Sequence, residues 1–271
     1  MTSAPAQATR QRGVLGTVIV VALLVPLLIA LLASPLLIRT FLFQPFNTPS
    51  GSLKPTLLVG DYFFASKYSY GYTRYSFPFS PPLTVISERI FASEPERGDV
   101  VVFRLPKDPS TDYVKRVVGL PGERIQMING VLHINGIAVR RERIEDFVDT
   151  EDTGRQVRIK QWRETLPNGV SHPTLDLIDN GFYDNTKEYQ VPAGHYFMLG
   201  DNRDNSTDSR VESAVGYVPA ENLIGRAQII FWSVRSDRIG MKVVGRNRFI
   251  APSLPRAGRP HRRKLVLETA Q

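Results

Sequence analysis

Hydrophobic and polar positions divide the chain into an apolar N-terminal run and a longer region of short alternating segments. No residue from 13 to 38 is charged, a stretch of about 26 residues. A helix needs roughly 20 apolar residues to cross a bilayer. The run is rich in Val, Leu and Ile and contains Pro26 and Pro35, which membrane helices tolerate because neighbouring groups satisfy the freed carbonyls. The pattern predicts a single N-terminal transmembrane helix.

A cleaved signal peptide is the alternative interpretation, since Arg10 and Arg12 precede the apolar run. Such a peptide has an apolar stretch of roughly 7–15 residues and ends at two small residues separated by one other. This run is longer, and Ala30, Ala33 and Ser34 do not form that pattern. A retained anchor is therefore expected.

The flanking cations predict the orientation of this anchor. Arg10, Arg12 and the amino terminus precede the span, whereas Arg39 alone follows closely. The positive-inside rule then places the N-terminus in the cytoplasm and the rest of the chain outside.

Beyond the anchor, short runs of β-branched and aromatic residues separated by Gly and Pro predict strands rather than helices. The predicted strands are residues 62–65, 100–103, 113–118, 124–128, 131–134, 196–199 and 226–232. Asn129-Gly130 alone joins two of them and predicts a tight hairpin. The fold class is therefore mostly β.

Two stretches depart from this pattern. Residues 72–95 are aromatic and proline-rich, and we expect a loop that rests either on lipid or on its own domain. Residues 140–190 carry mixed charge and predict an inserted, more solvated lobe, with the acidic residues Glu142, Glu145, Asp146, Asp149, Glu151 and Asp152 close together.

Composition excludes several classes of site. The absence of cysteine excludes a zinc ribbon, a disulfide scaffold and a thiol nucleophile. None of the four histidines has a partner at metal-ligand spacing, and no Gly-x-Ser-x-Gly motif supports a Ser-His-Asp triad. No cofactor is expected.

The net charge is +8, which makes nucleic acid, anionic lipid and acidic substrates the candidate partners. The densest basic run, residues 256–264, lies in a Pro- and Gly-containing tail. We interpret it as a solvated tail and expect no nucleic-acid partner.

Residues 49–58 are the candidate nucleophile loop. Ser50 and Ser52 flank Gly51, and Pro55 stiffens the chain that follows. A hydroxyl held beside a flexible backbone can combine a nucleophile with its oxyanion donors in one loop. A plain turn between a membrane helix and a domain is the alternative.

A serine without a histidine needs another base, and lysine is the obvious candidate. Lysine titrates near about 10.4, so its pKa must fall by about 3, which costs about 4 kcal/mol and requires burial. Lys54 lies two residues from Ser52 but can reach water, whereas Lys115 lies between Val114 and Val117 in a predicted strand. Desolvation favours Lys115.

Residues 200–210 form a dense polar run directly after a predicted strand. With Asp201 at the first position of a calcium loop, the sixth position holds Ser206 instead of the required glycine. A turn locked by Asp–Arg hydrogen bonds is expected instead.

Arg97-Gly98-Asp99 precedes a buried-looking strand and is interpreted as a turn.

Four blocks of the chain, in the same order and after an N-terminal anchor, resemble bacterial type I signal peptidase. They are Ser50-Gly-Ser-Leu-Lys-Pro-Thr-Leu57, Arg97-Gly-Asp-Val-Val-Val-Phe103, Tyr113-Val-Lys-Arg-Val-Val-Gly-Leu-Pro-Gly122 and Gly200-Asp-Asn-Arg-Asp-Asn-Ser-Thr-Asp-Ser-Arg210. The resemblance covers the chain from the anchor to about Trp232. It implies an antiparallel β catalytic core with an inserted β lobe.

The resemblance also implies roles for individual residues. Ser52 would be the nucleophile and Lys115 the general base, oriented by Ser206. The Ser50 hydroxyl and the Ser52 backbone N–H would form the oxyanion hole. The remaining implied roles are structural support by Asp208 and Arg210, and shallow pockets for small substrate residues at −3 and −1 lined by Phe46, Pro49, Leu53, Leu57, Tyr113 and Val114.

Three residues depart from the pattern of that family. Leu53 stands in place of the usual methionine and is expected to reshape the −1 pocket. Thr48 replaces an apolar residue and affects the expected −3 preference, while Glu123 replaces an aspartate with little expected consequence.

The implied function is a signal peptidase in the cytoplasmic membrane, single-pass, with its catalytic domain on the periplasmic or extracellular face. It would cut exported preproteins after Ala-x-Ala and contact membrane phospholipid.

The alternatives are a catalytically silent envelope binding domain, a conjugation or pilus maturation protease, and a self-cleaving repressor, which would lack the anchor. The predicted segments are a cytoplasmic segment (1–12), the anchor (13–38), the first part of the catalytic core (42–123), the inserted lobe (124–191), the second part of the core (192–236) and a basic tail (237–271).

Overall fold

The apolar run forms helix α1, Pro5–Leu37, which continues into one turn of π-helix at Ile38–Leu42. The computed structural model describes residues 5–77, 89–150 and 154–243, with side chains from residue 20 onward. The span Val20–Leu42 has a mean hydropathy of 2.7, and its most apolar 18 residues include no buried residue. By length and composition this helix can cross a membrane.

Several sequence predictions lie outside the described residues. They are the side chains of Arg10 and Arg12, the proline-rich part of the 72–95 loop (78–88), Glu151 and Asp152, and the basic tail beyond residue 243.

The rest of the described chain is mostly β, as predicted. Its strands are β1 (Phe43–Asn47), β2 (Tyr62–Ser66), β3 (Val100–Leu105), β4 (Asp108–Gly119), β5 (Arg124–Ile128), β6 (Val131–Ile134), β7 (Ile137–Ala138), β8 (Arg140–Arg143), β9 (Phe147–Thr150), β10 (Gln156–Thr165), β11 (Ser171–Asp176), β12 (Tyr189–Gln190), β13 (His195–Leu199), β14 (Val218–Pro219) and β15 (Leu223–Trp232). Each strand predicted from the sequence is present, and several extend beyond the predicted ends.

The main sheet has seven strands in the order β1-β2-β15-β3-β4-β13-β14, and its neighbours pair antiparallel. Strand β3 is buried on both faces, since Val100 and Val102 pack into one cluster and Val101 and Phe103 into another. Burial on both faces explains its continuous apolar sequence. Lys115 on β4 pairs with Val101 and so lies in the middle of this sheet.

Two smaller sheets lie between β4 and β13 in the chain. One has the order β12-β5-β6-β7, and the other β11-β10-β8, with β9 also pairing β10. The predicted hairpin is confirmed, with Ile128 opposite Val131. Asn129 and Gly130 both have positive φ, 48° and 72°, which is the geometry that favours Asn-Gly in a two-residue turn.

The prediction of a solvated 140–190 region is wrong for Glu164 and for residues 172–176, whereas residues 177–190 are mostly exposed. Glu164 on β10 and His172 on β11 are buried, and Thr174 and Asp176 beside them are buried as well. The reason is that β10 and β11 pack beneath the polar run at 200–210, where charged side chains pair with one another.

Arg97-Gly98-Asp99 forms a turn before β3, as predicted. Gly98 has a φ of +95°, and Asp99 N donates to Glu96 O at 3.1 Å. The Arg97 guanidinium pairs with Glu123, whose carboxylate also accepts from Leu120 N at 2.7 Å. Glu123 therefore ties this turn to the end of β4.

Candidate active site

Ser52 lies in a short 3₁₀ turn, Gly51–Leu53, that follows an extended Ser50. Leu53 and Leu57 are 1% and 0% exposed and anchor both sides of the turn in the core. Ser52 itself is buried, and its Oγ lies 3.3 Å from Ser50 Oγ. The two hydroxyls of the candidate loop therefore lie side by side.

Lys115 reaches this turn from the middle of β4. Its Nζ donates to Ser52 Oγ at 2.6 Å, although the two residues are 63 positions apart in the chain. Burial lowers the pKa of Lys115 to about 8, against the attraction of Asp208 and Asp201, which favours the charged form. The residue that desolvation favoured in the sequence is thus the one beside Ser52.

Lys54, the rival base, points elsewhere. The chain turns at Gly51–Leu53 instead of running extended, so Lys54 does not share a face with Ser52. Its Nζ donates to Asp149 Oδ2 on β9 at 2.6 Å. This ion pair joins the nucleophile loop to the hairpin of β9 and β10.

Ser206 is buried next to the nucleophile loop, and its hydroxyl lies by the Asp208 carboxylate, whose pKa it helps to lower. That Ser206 orients Lys115, as the resemblance implied, stays a prediction. Ser206 Oγ and the Ser52 carbonyl oxygen both lie within 3.0 Å of the point where a side chain on Gly200 would begin. Gly200 is thus the spacer across which Ser206 and Ser52 meet.

Asp208 and Arg210 form a buried bidentate pair. Arg210 Nε and Nη2 donate to the two carboxylate oxygens of Asp208, each at 2.8 Å, and Gly200 N donates to Asp208 at 3.1 Å. Burial alone would raise the pKa of Asp208, but Arg210 outweighs it and holds the pKa below its ordinary value. The pair fixes the loop that carries Ser206.

Beneath the site lies a second ionic network that sequence reasoning missed. Arg116, next to Lys115, donates to both oxygens of Asp201 at 2.8 and 2.6 Å. Arg203 forms an equally bidentate pair with Glu164 of β10 at 2.9 and 2.7 Å. The density of Asp and Arg at 200–210 predicted such pairs, but no sequence signal identified Glu164 or Arg116 as the partners.

His172 is enclosed within this network. Its Nε2 lies 3.5 Å from Glu164 and 3.8 Å from Asp201. Burial lowers its pKa to about 4, and the neighbouring Arg116 contributes. His172 is therefore neutral near pH 7 and is a structural histidine.

The predicted pocket residues lie in three different settings. Phe46 and Val114 are partly buried against the same core cluster as Leu53 and Leu57, whereas Tyr113 packs against the cluster on the other face of β3. Pro49 is exposed, and Thr48 is buried, with no hydrogen-bond partner for its hydroxyl in the described part of the chain. Because Leu53 and Leu57 are fully covered, they support the turn from behind instead of presenting an open surface.

Within the described ranges, no group of three or more His, Cys, Asp or Glu side chains could hold a metal ion. Asp201, the first position of the rejected calcium loop, is occupied by Arg116. A serine hydroxyl, a buried lysine and a paired carboxylate–guanidinium scaffold are what this site offers chemically, and they suit acyl transfer.

Comparison with known proteins agrees with this chemistry. The sequence pattern of the family described as signal peptidase, peptidase S26, matches residues 18–232. The chain is 46% identical over 206 residues to signal peptidase I of Rickettsia conorii, covering 74% of this chain and 75% of that protein. It is 45% identical over 206 residues to signal peptidase I of Rickettsia typhi, and the match covers 74% of this chain and 76% of that protein.

A solved structure of a signal peptidase I from Enterococcus faecalis is 27% identical and covers 49% of this chain and 97% of that one, with a TM-score of 0.29. A likeness at that score carries no weight for the fold. The family match and the Rickettsia relatives are sufficient by themselves: the chain belongs to the peptidase S26 family of signal peptidases and is a hydrolase of the class that removes signal peptides from exported preproteins.

Proposed function

We propose that this chain is a membrane-anchored serine endopeptidase that cuts preproteins after small residues of the Ala-x-Ala type, with Ser52 as nucleophile and Lys115 as general base. The observation that carries the proposal is the 2.6 Å contact between Lys115 Nζ and Ser52 Oγ. That distance lies within the range for direct proton transfer.

In the proposed mechanism, neutral Lys115 removes the Ser52 proton as Oγ attacks the scissile carbonyl carbon. Negative charge develops on the carbonyl oxygen and is stabilised by the Ser50 hydroxyl and the Ser52 backbone N–H. Lys115 then passes this proton to the nitrogen of the scissile bond. The C–N bond breaks, the new N-terminal amine leaves, and the acyl-enzyme on Ser52 Oγ remains. The same lysine then activates a water molecule that hydrolyses the ester.

Burial supports the role of Lys115 as a base. An exposed lysine is almost wholly charged near neutrality, whereas a pKa of about 8 leaves a useful neutral fraction. Lys115 is 4% exposed. Ser206, Asp208 and Arg210 would keep the lysine and its surroundings in place by packing and by the carboxylate–guanidinium pair.

For substrate recognition we propose shallow pockets for the −1 and −3 residues, lined by Phe46, Pro49, Tyr113 and Val114, with the buried Leu53 and Leu57 behind them. Small residues suit such pockets because the apolar side chains around the turn are closely packed. Leu57 and Leu53 would limit the depth of the −1 pocket from behind.

We further propose a single-pass anchor at Val20–Leu42, with the β domain on the outer face of the cytoplasmic membrane and in contact with phospholipid. A signal peptide lies in the same bilayer, so anchoring raises the effective concentration of enzyme and substrate. The proposed division into a catalytic core (42–123 and 192–236) and an inserted lobe (124–191) places β5 to β12 in the lobe. Exported preproteins are the partners of this site, and nucleic acid is not.

The direct test is cleavage of a preprotein with an Ala-x-Ala site by the purified full chain in detergent, with the new N-terminus sequenced. We expect a single cut after the second alanine and none when the −1 alanine is replaced by arginine. Cleavage at an unrelated position, or none with a correctly folded enzyme, would favour the catalytically silent binding domain.

The pH dependence of the reaction follows from the lowered pKa of Lys115. Because the neutral amine is the active form, kcat/KM should rise about tenfold per pH unit on the acidic side and level off above about 8. A profile of kcat/KM between pH 6 and 10 on a peptide substrate measures this. A plateau that begins only near the pKa of free lysine would contradict desolvation of the base.

The variant Lys54→Ala tests which of the two lysines, Lys54 or Lys115, is the general base. Since Lys54 is bound to Asp149 and not to Ser52, we expect kcat to stay within about threefold of wild type. Steady-state cleavage of the same peptide measures the effect, with Asp149→Ala as the matched variant on the other side of the ion pair. An inactive Lys54→Ala beside an active Asp149→Ala would identify Lys54 as the base.

A further inference from the structure

Asn202 contacts the nucleophile loop through both its side chain and its backbone. Its Nδ2 donates to Gly51 O and its backbone N–H donates to Ser52 O, each at 3.1 Å. The residue is 2% exposed. Asn202 thus holds two successive carbonyl groups, one on each side of the Ser52 α-carbon.

The first of these contacts fixes the direction of the Ser52 N–H. Gly51 O and the Ser52 N–H belong to one planar trans peptide unit, so they point in opposite directions. Gly51 O accepts from Asn202 Nδ2 and also from Lys54 N at 3.1 Å. With its carbonyl held by two donors, this peptide unit cannot rotate without breaking both hydrogen bonds.

Asn202 is itself rigidly held by the inserted sheet. It forms a parallel bridge with Leu175 of β11, in which Leu175 N donates to Asp201 O at 2.8 Å and Arg203 N donates to Leu175 O at 3.0 Å. The neighbours on either side, Asp201 and Arg203, are locked by Arg116 and Glu164. The amide donor therefore sits on a rigid support.

The oxygen of the Asn202 side-chain amide is a second, independent indication that this residue has a functional role. Its Oδ1 is buried without a hydrogen-bond partner among the described residues. Leaving a buried acceptor unpaired costs about 1–3 kcal/mol. The amide cannot turn over to satisfy this oxygen, because Oδ1 would then face the Gly51 carbonyl oxygen. A buried group retained at such a cost is typical of a functional site.

We propose that Asn202 is the positioning residue of the oxyanion hole: by holding Gly51 O, it aims the Ser52 N–H at the developing oxyanion. The inference rests on the proposed function, in which Ser52 N–H is an oxyanion donor. Asn202 does not touch the substrate. It contributes mainly when the carbonyl oxygen becomes charged, so its loss should lower kcat more than it raises KM.

The test compares Asn202→Asp and Asn202→Ala with Asn205→Ala, an exposed asparagine of the same loop. Asn202→Asp keeps the shape and the backbone bond but replaces the donor with an acceptor. We expect kcat to fall about 10- to 100-fold in both Asn202 variants with KM within about twofold. Asn205→Ala should match wild type. Unchanged kcat in a folded Asn202→Asp would overturn the proposal.

A second readout separates positioning from general destabilisation. A peptide boronic acid becomes tetrahedral on bonding to Ser52 Oγ, whereas a product peptide binds with a planar carboxylate. The Asn202 variants should bind the boronic acid more weakly by the same factor that kcat/KM falls, with product affinity unchanged. Equal weakening of both ligands would overturn the positioning role and indicate a loosened site.

A double variant connects Asn202 to the oxyanion hole. If Asn202 acts through that hole, its effect should be smaller in a Ser50→Ala background, because the two losses act on one charge. Strict additivity would contradict the proposal. Failure of the proposed function would look different: wild type would not bind the boronic acid, and Ser52→Ala would keep its activity.

Discussion

Replacing Ser52 with alanine, or Lys115 with methionine, should lower kcat/KM for an Ala-x-Ala substrate by at least about a thousandfold. The first change removes the hydroxyl that the Lys115 amine contacts at 2.6 Å. The second removes the base but keeps an apolar chain of similar length in the buried site. Each variant should therefore abolish the reaction with little change in the fold.

Lys115→Arg tests whether the lysine acts as a base or as a fixed positive charge. Arginine keeps the charge but does not lose its proton in proteins. We expect Lys115→Arg to be as inactive as Lys115→Met, with circular dichroism and thermal melting as folding controls. Substantial activity in Lys115→Arg would mean that the amine stabilises charge instead of transferring a proton, and activity in Ser52→Ala would remove the nucleophile assignment.

Gly200→Ala should lower kcat by about a hundredfold or more, although Gly200 carries no reactive group. The added methyl would lie closer than 3.0 Å to Ser206 and to the Ser52 carbonyl oxygen. Relief requires either the nucleophile turn or the Ser206 loop to move. A shift of about 1 Å between reacting groups is sufficient for a loss of this size.

Gly136→Ala provides a matched control. Gly136 lies in the turn between β6 and β7, has a φ of +80° and has open space around it. Alanine there is strained and should cost about 1 kcal/mol of stability without affecting kcat. A double variant, Gly200→Ala with Ser206→Gly, should stay impaired because Ser52 O still blocks the methyl. Full recovery would show that crowding of Ser206 alone was responsible.

Much of the fold could be predicted from the sequence. Strand β3 was recognisable because both its faces are buried and the apolar run is continuous, and the hairpin because Asn129-Gly130 adopts the left-handed turn that it favours. The burial of the inserted lobe was harder to predict. Acidic residues around 140–150 suggested solvent, but Glu164 further along is buried against Arg203, a partner 39 positions away.

The candidate site was predicted in its main pair and in the Asp208–Arg210 pair, but the deeper Arg116–Asp201 and Arg203–Glu164 pairs were not predicted. Desolvation alone preferred Lys115 over Lys54, and the structure brings Lys115 to Ser52 and Lys54 to Asp149. The roles of these residues stay proposals until the variants are measured.

The sequence by itself determined the apolar span, the mostly β character and the polar blocks that identify the family, because these depend on local composition, periodicity and order along the chain. Only the tertiary structure decided which charges pair, how Gly200 separates Ser206 from Ser52, and that Asn202 holds the nucleophile turn. Those contacts join residues far apart in the chain. Their strength depends on burial, which is a property of the packed sheets and not of any single segment.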